Sequence, residues 1–287
     1  MLRAILLISL TATRIFAQSP AEDKVRFNSA VDWLNTKLDY LYYDNNNGNW
    51  WNNSFYMNES REVTIKQISS KTPQTAKIKN KNYTIRKFRI EDINPYTIQI
   101  KEVDESMGRF VKGQLLEIHT FSDKKNIHKT INNRKATSTS FLHLSFPTSL
   151  TDTLVNYPQL VKEKLYEAVI STTMVYASNP DGNKQTIMEI MEGSFQRETD
   201  NKAWVSERVF ENIFKIEQEN AYAFFGYDTG RDQFYLNRVS SEGVATDFFR
   251  LKDGIHLILE STTDPDYTIF FETKNSFQLN GDWYFRK

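Results

Sequence analysis

The chain has 287 residues, with 36 basic and 36 acidic side chains and no cysteine. The lack of cysteine excludes disulfides, thiolate metal sites and a cysteine nucleophile. Zero formal net charge argues against a dedicated nucleic-acid binder, which would carry a basic excess.

The first 17 residues have the pattern of a secretory signal peptide. Arg3 gives a basic start, residues 4–12 form an apolar run, and Ala17 ends a cleavage-site pattern. A membrane anchor is the alternative, but this run is shorter than the about 20 apolar residues that a spanning helix needs. We therefore predict a mature chain that begins at Gln18, is periplasmic or secreted, and has no transmembrane segment.

A helix is predicted from Pro20 to Tyr43. Ser19 is a typical capping residue, proline is favoured at the first helical position, and apolar residues then recur at helical spacing. The asparagine-rich run at 44–49 ends this helix and begins a loop.

From Arg61 to about residue 147, apolar and polar residues alternate, which predicts a series of strands. The alternation slips by one residue at Arg86-Lys87, which predicts a β-bulge. A second helix is predicted from Pro158 to Tyr176, where apolar residues again recur at helical spacing.

Residues 61–176 therefore contain six or seven strands followed by one helix. This order of elements resembles that of the pleckstrin-homology-like superfold, with an additional helix in front. The resemblance implies an antiparallel sheet or barrel that is closed by a C-terminal helix. It does not extend to phosphoinositide binding, which would not suit an exported bacterial protein.

Residues 178–183 have turn composition and predict a linker between two domains, 18–177 and 184–287. The second domain is rich in aromatic residues, and glycines recur between its short apolar runs. This pattern predicts an antiparallel β-meander, either barrel-like or sandwich-like. The predicted fold class is thus α+β and mainly β.

Several strands of the second domain are apolar on both faces. Ile258 and Phe270, for example, lie opposite the main apolar positions of their strands. Cover by the first domain, pairing with another subunit, and closure around a cavity for a small apolar ligand would each explain this.

The two predicted domains differ in charge. Residues 18–177 contain 22 basic and 17 acidic side chains (+5), and residues 178–287 contain 12 and 19 (−7). Uneven surface composition explains this difference, and electrostatic docking of the two halves is the alternative.

Trp50 and Trp51 follow the asparagine-rich run directly, with Phe55 and Tyr56 nearby. These four aromatic residues are the candidate ligand-binding site, because exposed rings could stack on a sugar or a peptide. The alternative is that one or both tryptophan rings pack on the core.

Motifs of catalysis or nucleotide binding are absent from the sequence, and no catalytic residue, metal site or cofactor is predicted. His119, His128 and His143 lie in three predicted strands and point away from their apolar faces. They could hold Zn²⁺ only if the fold brought them together, so solvated side chains are expected. Glu207, Glu211 and Glu217 are equally weak candidates for a glycosidase carboxylate pair.

The sequence therefore favours an exported, non-enzymatic binding or interaction protein of the bacterial cell envelope. Its partner would be a small apolar or carbohydrate ligand or another protein, and not nucleic acid; the sequence leaves the oligomeric state open. The alternatives are a hydrolase whose site is assembled from dispersed carboxylates or histidines, and a structural subunit of the envelope.

Overall fold

The computed structural model describes residues 20–44, 48–73, 83–104, 112–132, 134, 137–148, 156–176, 180–210, 213–218, 221–252, 255–260 and 268–287. The predicted signal peptide lies outside these ranges. The chain forms two units: residues 26–172 with Lys287, here called the two-sheet unit, and residues 173–286 with the chain up to Val25, here called the barrel unit. Strands dominate both, so the prediction of a mainly β, α+β fold is confirmed.

Helix α1 spans Pro20–Lys37, and the prediction that it continues to Tyr43 was wrong. The next residues form strand β1, in which Tyr40 and Tyr42 are buried and alternate with more exposed neighbours. Aromatic residues at every second position suit a half-buried strand better than a helix. The asparagine-rich run therefore joins two strands of a hairpin.

The two-sheet unit contains nine antiparallel strands: β1 (Asp39–Asp44), β2 (Asn49–Met57), β3 (Glu62–Ser70), β4 (Tyr83–Arg89), β5 (Gln99–Val103), β6 (Gly113–His119), β7 (Ile127–Ile131), β8 (Thr137–Thr139) and β9 (Phe141–Pro147). One sheet has the order β1-β2-β3-β4-β7-β8, and the other has the order β5-β6-β9. Side chains from both sheets form one hydrophobic core with α1 and the helix that follows β9.

The predicted bulge at Arg86-Lys87 is absent. Strand β4 pairs with β3 without interruption from Glu62↔Arg89 to Ile68↔Tyr83. The apolar alternation slips because Arg86 occupies a position on the core face of the sheet, where an apolar residue was expected. Continuous register therefore turns a charged side chain inward.

Helix α2 spans Tyr157–Ile170 and buries Val161, Leu165 and Val169 in the core of the two-sheet unit. The prediction that it reaches Tyr176 was wrong. Residues 169–175 are mostly β-branched or hydroxylated, and such side chains lose rotamer freedom in a helix or compete for its backbone hydrogen bonds.

Helix α3 spans Pro180–Ile190, so residues 180–183 are its first turn rather than the predicted linker. Proline is well suited to a first helical turn because it lacks the amide hydrogen that this turn leaves unpaired. Ile187 and Ile190 then join the core of the barrel unit. None of the helices in the described ranges combines the length and the apolar character that crossing a bilayer requires.

The barrel unit is a closed meander of ten antiparallel strands: β10 (Gly193–Arg197), β11 (Ala203–Phe210), β12 (Ile213–Gln218), β13 (Ala221–Asp228), β14 (Gln233–Ser240), β15 (Gly243–Lys252), β16 (His256–Leu259), β17 (Thr268–Thr273), β18 (Ser276–Leu279) and β19 (Asp282–Arg286). Each strand pairs with the next, and β19 pairs with β10. The predicted antiparallel meander is therefore confirmed as a barrel.

Aromatic rings form the core of this barrel. Phe277 contacts the rings of Phe195, Trp204, Phe271 and Tyr284, with centroid distances between 5.0 and 6.2 Å. The side chain of Arg286 closes the end of α3, because its guanidinium donates to the backbone oxygens of Ile190, the last helical residue, and Glu192, and lies over the ring of Phe195. Packing of large rings thus supplies much of the stability of a chain without disulfides.

Replacing Phe277 with alanine is expected to lower the free energy of unfolding by about 3–5 kcal/mol, because the ring is fully buried and its loss leaves a cavity among four aromatic neighbours. Urea unfolding followed by circular dichroism measures this loss. Val244→Ala is the control, since that side chain is 63% exposed, and a change within about 0.5 kcal/mol is expected for it. Equal effects of both substitutions would contradict a barrel core centred on Phe277.

Candidate functional site

The structure divides the four predicted ligand-binding aromatic residues between the two faces of the six-stranded sheet. Side chains alternate along β2, so Trp51 and Phe55 face the core, whereas Trp50 and Tyr56 face the opposite side. Phe55 is fully part of the hydrophobic core, and Trp51 packs against it. The four rings therefore do not form one stacking surface.

On the outer face, Trp50 packs against Tyr43, its cross-strand neighbour in β1, with ring centroids 5.3 Å apart. Tyr56 lies six residues further along β2 and is 60% exposed. An exposed aromatic pair of this kind can stack on a planar or sugar ligand, but no charged or buried polar group is recorded beside it in the described ranges.

The inner face carries an unusual group of polar side chains among its apolar residues. We call this group the inner polar cluster; it consists of Tyr42, Trp51, Asn53, Gln67, Arg86 and Lys129. The register of β1–β4 and β7 places all six on the core side of the sheet. Polar groups in such a position need hydrogen-bond partners, because burial without a partner costs about 1–3 kcal/mol for each group.

Asn53 is the most buried polar residue of this cluster, at 1% exposure. It lies between Tyr40 of β1 and Gln67 of β3, its direct cross-strand neighbours. The Asn53 amide interacts with the phenols of Tyr40 and Tyr42, but neither its Oδ1 nor its Nδ2 makes a hydrogen bond of normal geometry, and Nε1 of the neighbouring Trp51 makes none either. Three buried polar atoms on adjacent positions thus lack the partners that a closed core would give them.

The phenol of Tyr42 is held in its neutral form. Burial raises the pKa of Tyr42 to about 12, although the nearby Asn53 amide and the charge of Arg86 act in the opposite direction. A neutral phenol can both donate and accept a hydrogen bond at physiological pH. Tyr42 therefore adds a further polar atom to the inner face without adding charge.

Arg86 and Lys129 are cross-strand neighbours in β4 and β7. Arg86 donates to Oε1 of the buried Gln67, and burial lowers the pKa of Arg86. The pKa of Lys129 is also lowered, by burial and by the charge of Arg86. Two positive charges therefore face each other at the edge of the inner polar cluster, and both side chains remain partly exposed to solvent.

The three-stranded sheet carries a second cluster of titratable side chains. The carboxylate of Glu117 in β6 lies 2.9 Å from Nε2 of His119, 2.9 Å from Nζ of Lys101 and 3.3 Å from Nε2 of His143. Both histidines lie on the face opposite the core, as predicted. His128, in contrast, lies on the six-stranded sheet, where its Nδ1 is 3.0 Å from Oγ of Ser138.

His128 therefore lies apart from His119 and His143, so the three histidines do not come together as the alternative of a zinc site would require. In the described parts of the chain, no group of three or more histidine, cysteine or acidic side chains is arranged to hold a metal ion. Of the three glutamates considered for glycoside chemistry, Glu217 forms an ion pair with Lys215, and Glu211 lies outside the described side chains.

The barrel core contains two further buried atoms without a hydrogen bond, Nε1 of Trp204 and Oγ of Ser206. Their side chains are neighbours on one face of β11, and aromatic rings surround Trp204. The buried polar residues of the barrel strands, Ser206, Thr273 and Ser276, are uncharged, whereas the inner polar cluster includes Arg86 and Lys129. The inner polar cluster is therefore the better-equipped candidate site.

Sequence reasoning missed the inner polar cluster, apart from Trp51, although the chain carries two signals for it. Arg86 interrupts the apolar alternation of β4, and Asn53 lies between Trp51 and Phe55 at the same strand parity. A polar residue at a core-facing position is informative because it is costly.

Glu117→Gln is expected to reduce stability at pH 7 by about 1–3 kcal/mol, because a charged acceptor that is 15% exposed is lost. Although burial acts against it, hydrogen bonds from His119 and Lys101 lower the pKa of Glu117 to about 2. The ionised carboxylate stabilises the fold above its unfolded-state pKa, near 4.5, and this contribution is lost as the pH falls towards 2.

Urea unfolding at pH 7, 4 and 2 measures this dependence, and the wild-type and variant proteins are expected to converge at the lowest pH. Glu102→Gln is the control, because that residue lies on the neighbouring strand, is exposed, and accepts a hydrogen bond from an uncharged side chain, Gln114. A constant difference between wild type and Glu117→Gln at all three pH values would contradict the role of ionised Glu117.

Comparisons with protein-family models, with curated proteins and with solved structures found no significant match to this chain.

Proposed function

We propose that this chain is a non-enzymatic binding protein that holds a small polar ligand at the inner polar cluster. The observation that carries the proposal is the buried Asn53, whose two amide atoms make no normal hydrogen bond beside the equally unpaired Nε1 of Trp51. A bound ligand with both an acceptor and a donor would satisfy all three atoms. Such convergent polar groups in apolar surroundings are typical of small-molecule sites.

The proposal includes export to the bacterial cell envelope, which the basic and apolar pattern of residues 1–17 supports. An exported binding protein without cysteine needs a fold that is stable without disulfides. The aromatic core of the barrel unit supplies such a stable part, while the two-sheet unit accommodates the polar site.

A hydrolase is the second candidate, and the contacts of Glu117 with His119 and His143 favour it. This arrangement could serve acid–base chemistry, because a carboxylate orients imidazoles in many active sites. However, the carboxylate of Glu117 contacts both imidazoles and Lys101 at the same time. The same contacts are expected in a surface cluster that only stabilises the fold. We therefore favour binding at the inner polar cluster.

Asn53→Leu tests the binding proposal, because leucine has a similar size but needs no hydrogen bonds. In the ligand-free protein, this change is expected to leave stability unchanged or to raise it by up to about 2 kcal/mol. The same change is expected to abolish ligand retention. Native mass spectrometry of both proteins, purified from the source cells, measures retention, and urea unfolding measures stability.

Asn94→Leu is the matched control. Asn94 is also buried, but its Oδ1 accepts from the amide of Tyr96, so its replacement is expected to cost about 1–3 kcal/mol. The binding proposal fails if Asn53→Leu is as destabilising as this control, or if wild-type protein retains no small molecule that the Asn53 variant lacks.

A further inference from the structure

The cross-strand pair of Arg86 and Lys129 is unfavourable as it stands. Like charges directly opposite each other in a sheet repel, and partial burial strengthens the repulsion because less water screens it. A chain retains such a pair at a cost in stability unless a negative charge lies between the two cations.

The described residues do not supply this negative charge. No carboxylate in the described ranges forms an ion pair with Arg86 or Lys129, and the neutral Gln67 is the hydrogen-bond acceptor recorded for Arg86. Asp44 is the acidic residue whose charge reaches the cluster, where it acts on Tyr42.

The same side of the sheet offers further hydrogen-bond donors. Nε1 of Trp51 is a buried donor without a hydrogen bond, and Nδ2 of Asn53 reaches no acceptor in normal geometry, although its amide interacts with Tyr40 and Tyr42. Together with the guanidinium and the ammonium group, they resemble the donor sets that hold carboxylate or phosphate groups in proteins, where charged donors make the strongest hydrogen bonds.

We propose that the ligand of the inner polar cluster carries an anionic group, carboxylate or phosphate, that binds between Arg86 and Lys129, while its uncharged part reaches Asn53 and Trp51. This proposal rests on the binding function proposed above and names the chemical class of its ligand. Arg86 is the directional contact, since its planar fork matches a carboxylate or phosphate, and Lys129 adds a second charge.

The test uses the indole N–H signals of full-length protein labelled with ¹⁵N-tryptophan. The chain has five tryptophans, and Trp51→Phe identifies the signal of Trp51. Three probes are titrated: inorganic phosphate, benzoate and benzamide, the last being the uncharged counterpart of benzoate. Benzoate, phosphate or both are expected to shift the Trp51 signal in a saturable manner, and benzamide is expected to bind at least tenfold more weakly than benzoate.

Arg86→Gln and Lys129→Gln are each expected to weaken anion binding tenfold or more. Lys129→Gln is also expected to unfold at a higher temperature than wild type without ligand, because it removes the repulsion and leaves the hydrogen bond from Arg86 to Gln67 in place. Lys87→Gln is the matched control: it changes the next residue of β4, which faces the opposite side and pairs with Glu62. It is expected to bind benzoate and phosphate as wild type does.

The anion proposal is wrong if benzamide binds as tightly as benzoate, if neither anion shifts the Trp51 signal, or if Lys87→Gln weakens binding as much as Arg86→Gln. Its failure is distinguishable from failure of the binding function. Retention of a neutral molecule that is lost in Asn53→Leu but kept in Arg86→Gln would overturn the anion alone. Absence of any retained molecule, with no shift by any probe, would overturn both.

Discussion

The two-sheet unit depends on strict alternation of side chains along strands that pair without a bulge. In β2, β3 and β4 the register runs uninterrupted, so every second residue is committed to the core whatever its polarity. Apolar residues at these positions build the core, and Asn53, Gln67 and Arg86 must share it. The position of the candidate site is therefore a direct consequence of sheet geometry.

The two units differ in the composition of the cores that stabilise them without disulfides. In the barrel, rings pack against rings, and the buried polar residues of its strands, Ser206, Thr273 and Ser276, are uncharged. In the two-sheet unit, helices and two sheets enclose an apolar core that also contains amide, phenol and guanidinium groups. A binding site costs stability because its polar groups are satisfied only when the ligand is present. Under the proposed function, these costs fall on the two-sheet unit.

Much of the architecture could be predicted from the sequence, because period-2 alternation and regularly spaced glycines are local signals. They revealed the strands of both units, the meander of the barrel, and the outward direction of His119 and His143. Strand β1 and helix α3 were missed, because tertiary pairing of Tyr40 and Tyr42 and packing of Ile187 outweighed local composition. The likeness to the pleckstrin-homology-like superfold and the signal peptide remain predictions.

The candidate site was harder to predict, since it depends on which residues meet across strands that are far apart in the sequence. Trp51 was selected for its aromatic ring, but its contribution to the candidate site is the indole Nε1, which lies beside Asn53. Arg86 and Lys129 are separated by more than forty residues and become neighbours only through the pairing of β4 with β7. No local sequence pattern predicts this cross-strand pair, whereas the interrupted alternation of β4 does indicate that Arg86 faces the core.

Closure of the barrel has a consequence for how the protein is made. Nine of its ten strand pairings join consecutive strands and can form as soon as each hairpin has been synthesised. The tenth, between β10 and β19, brings Arg286 onto the backbone of Glu192, 94 residues earlier. Pairings of such long range form slowly. Until the last strand arrives, β10 presents an open edge to other chains, so the period between synthesis and closure is when this protein is most exposed to aggregation.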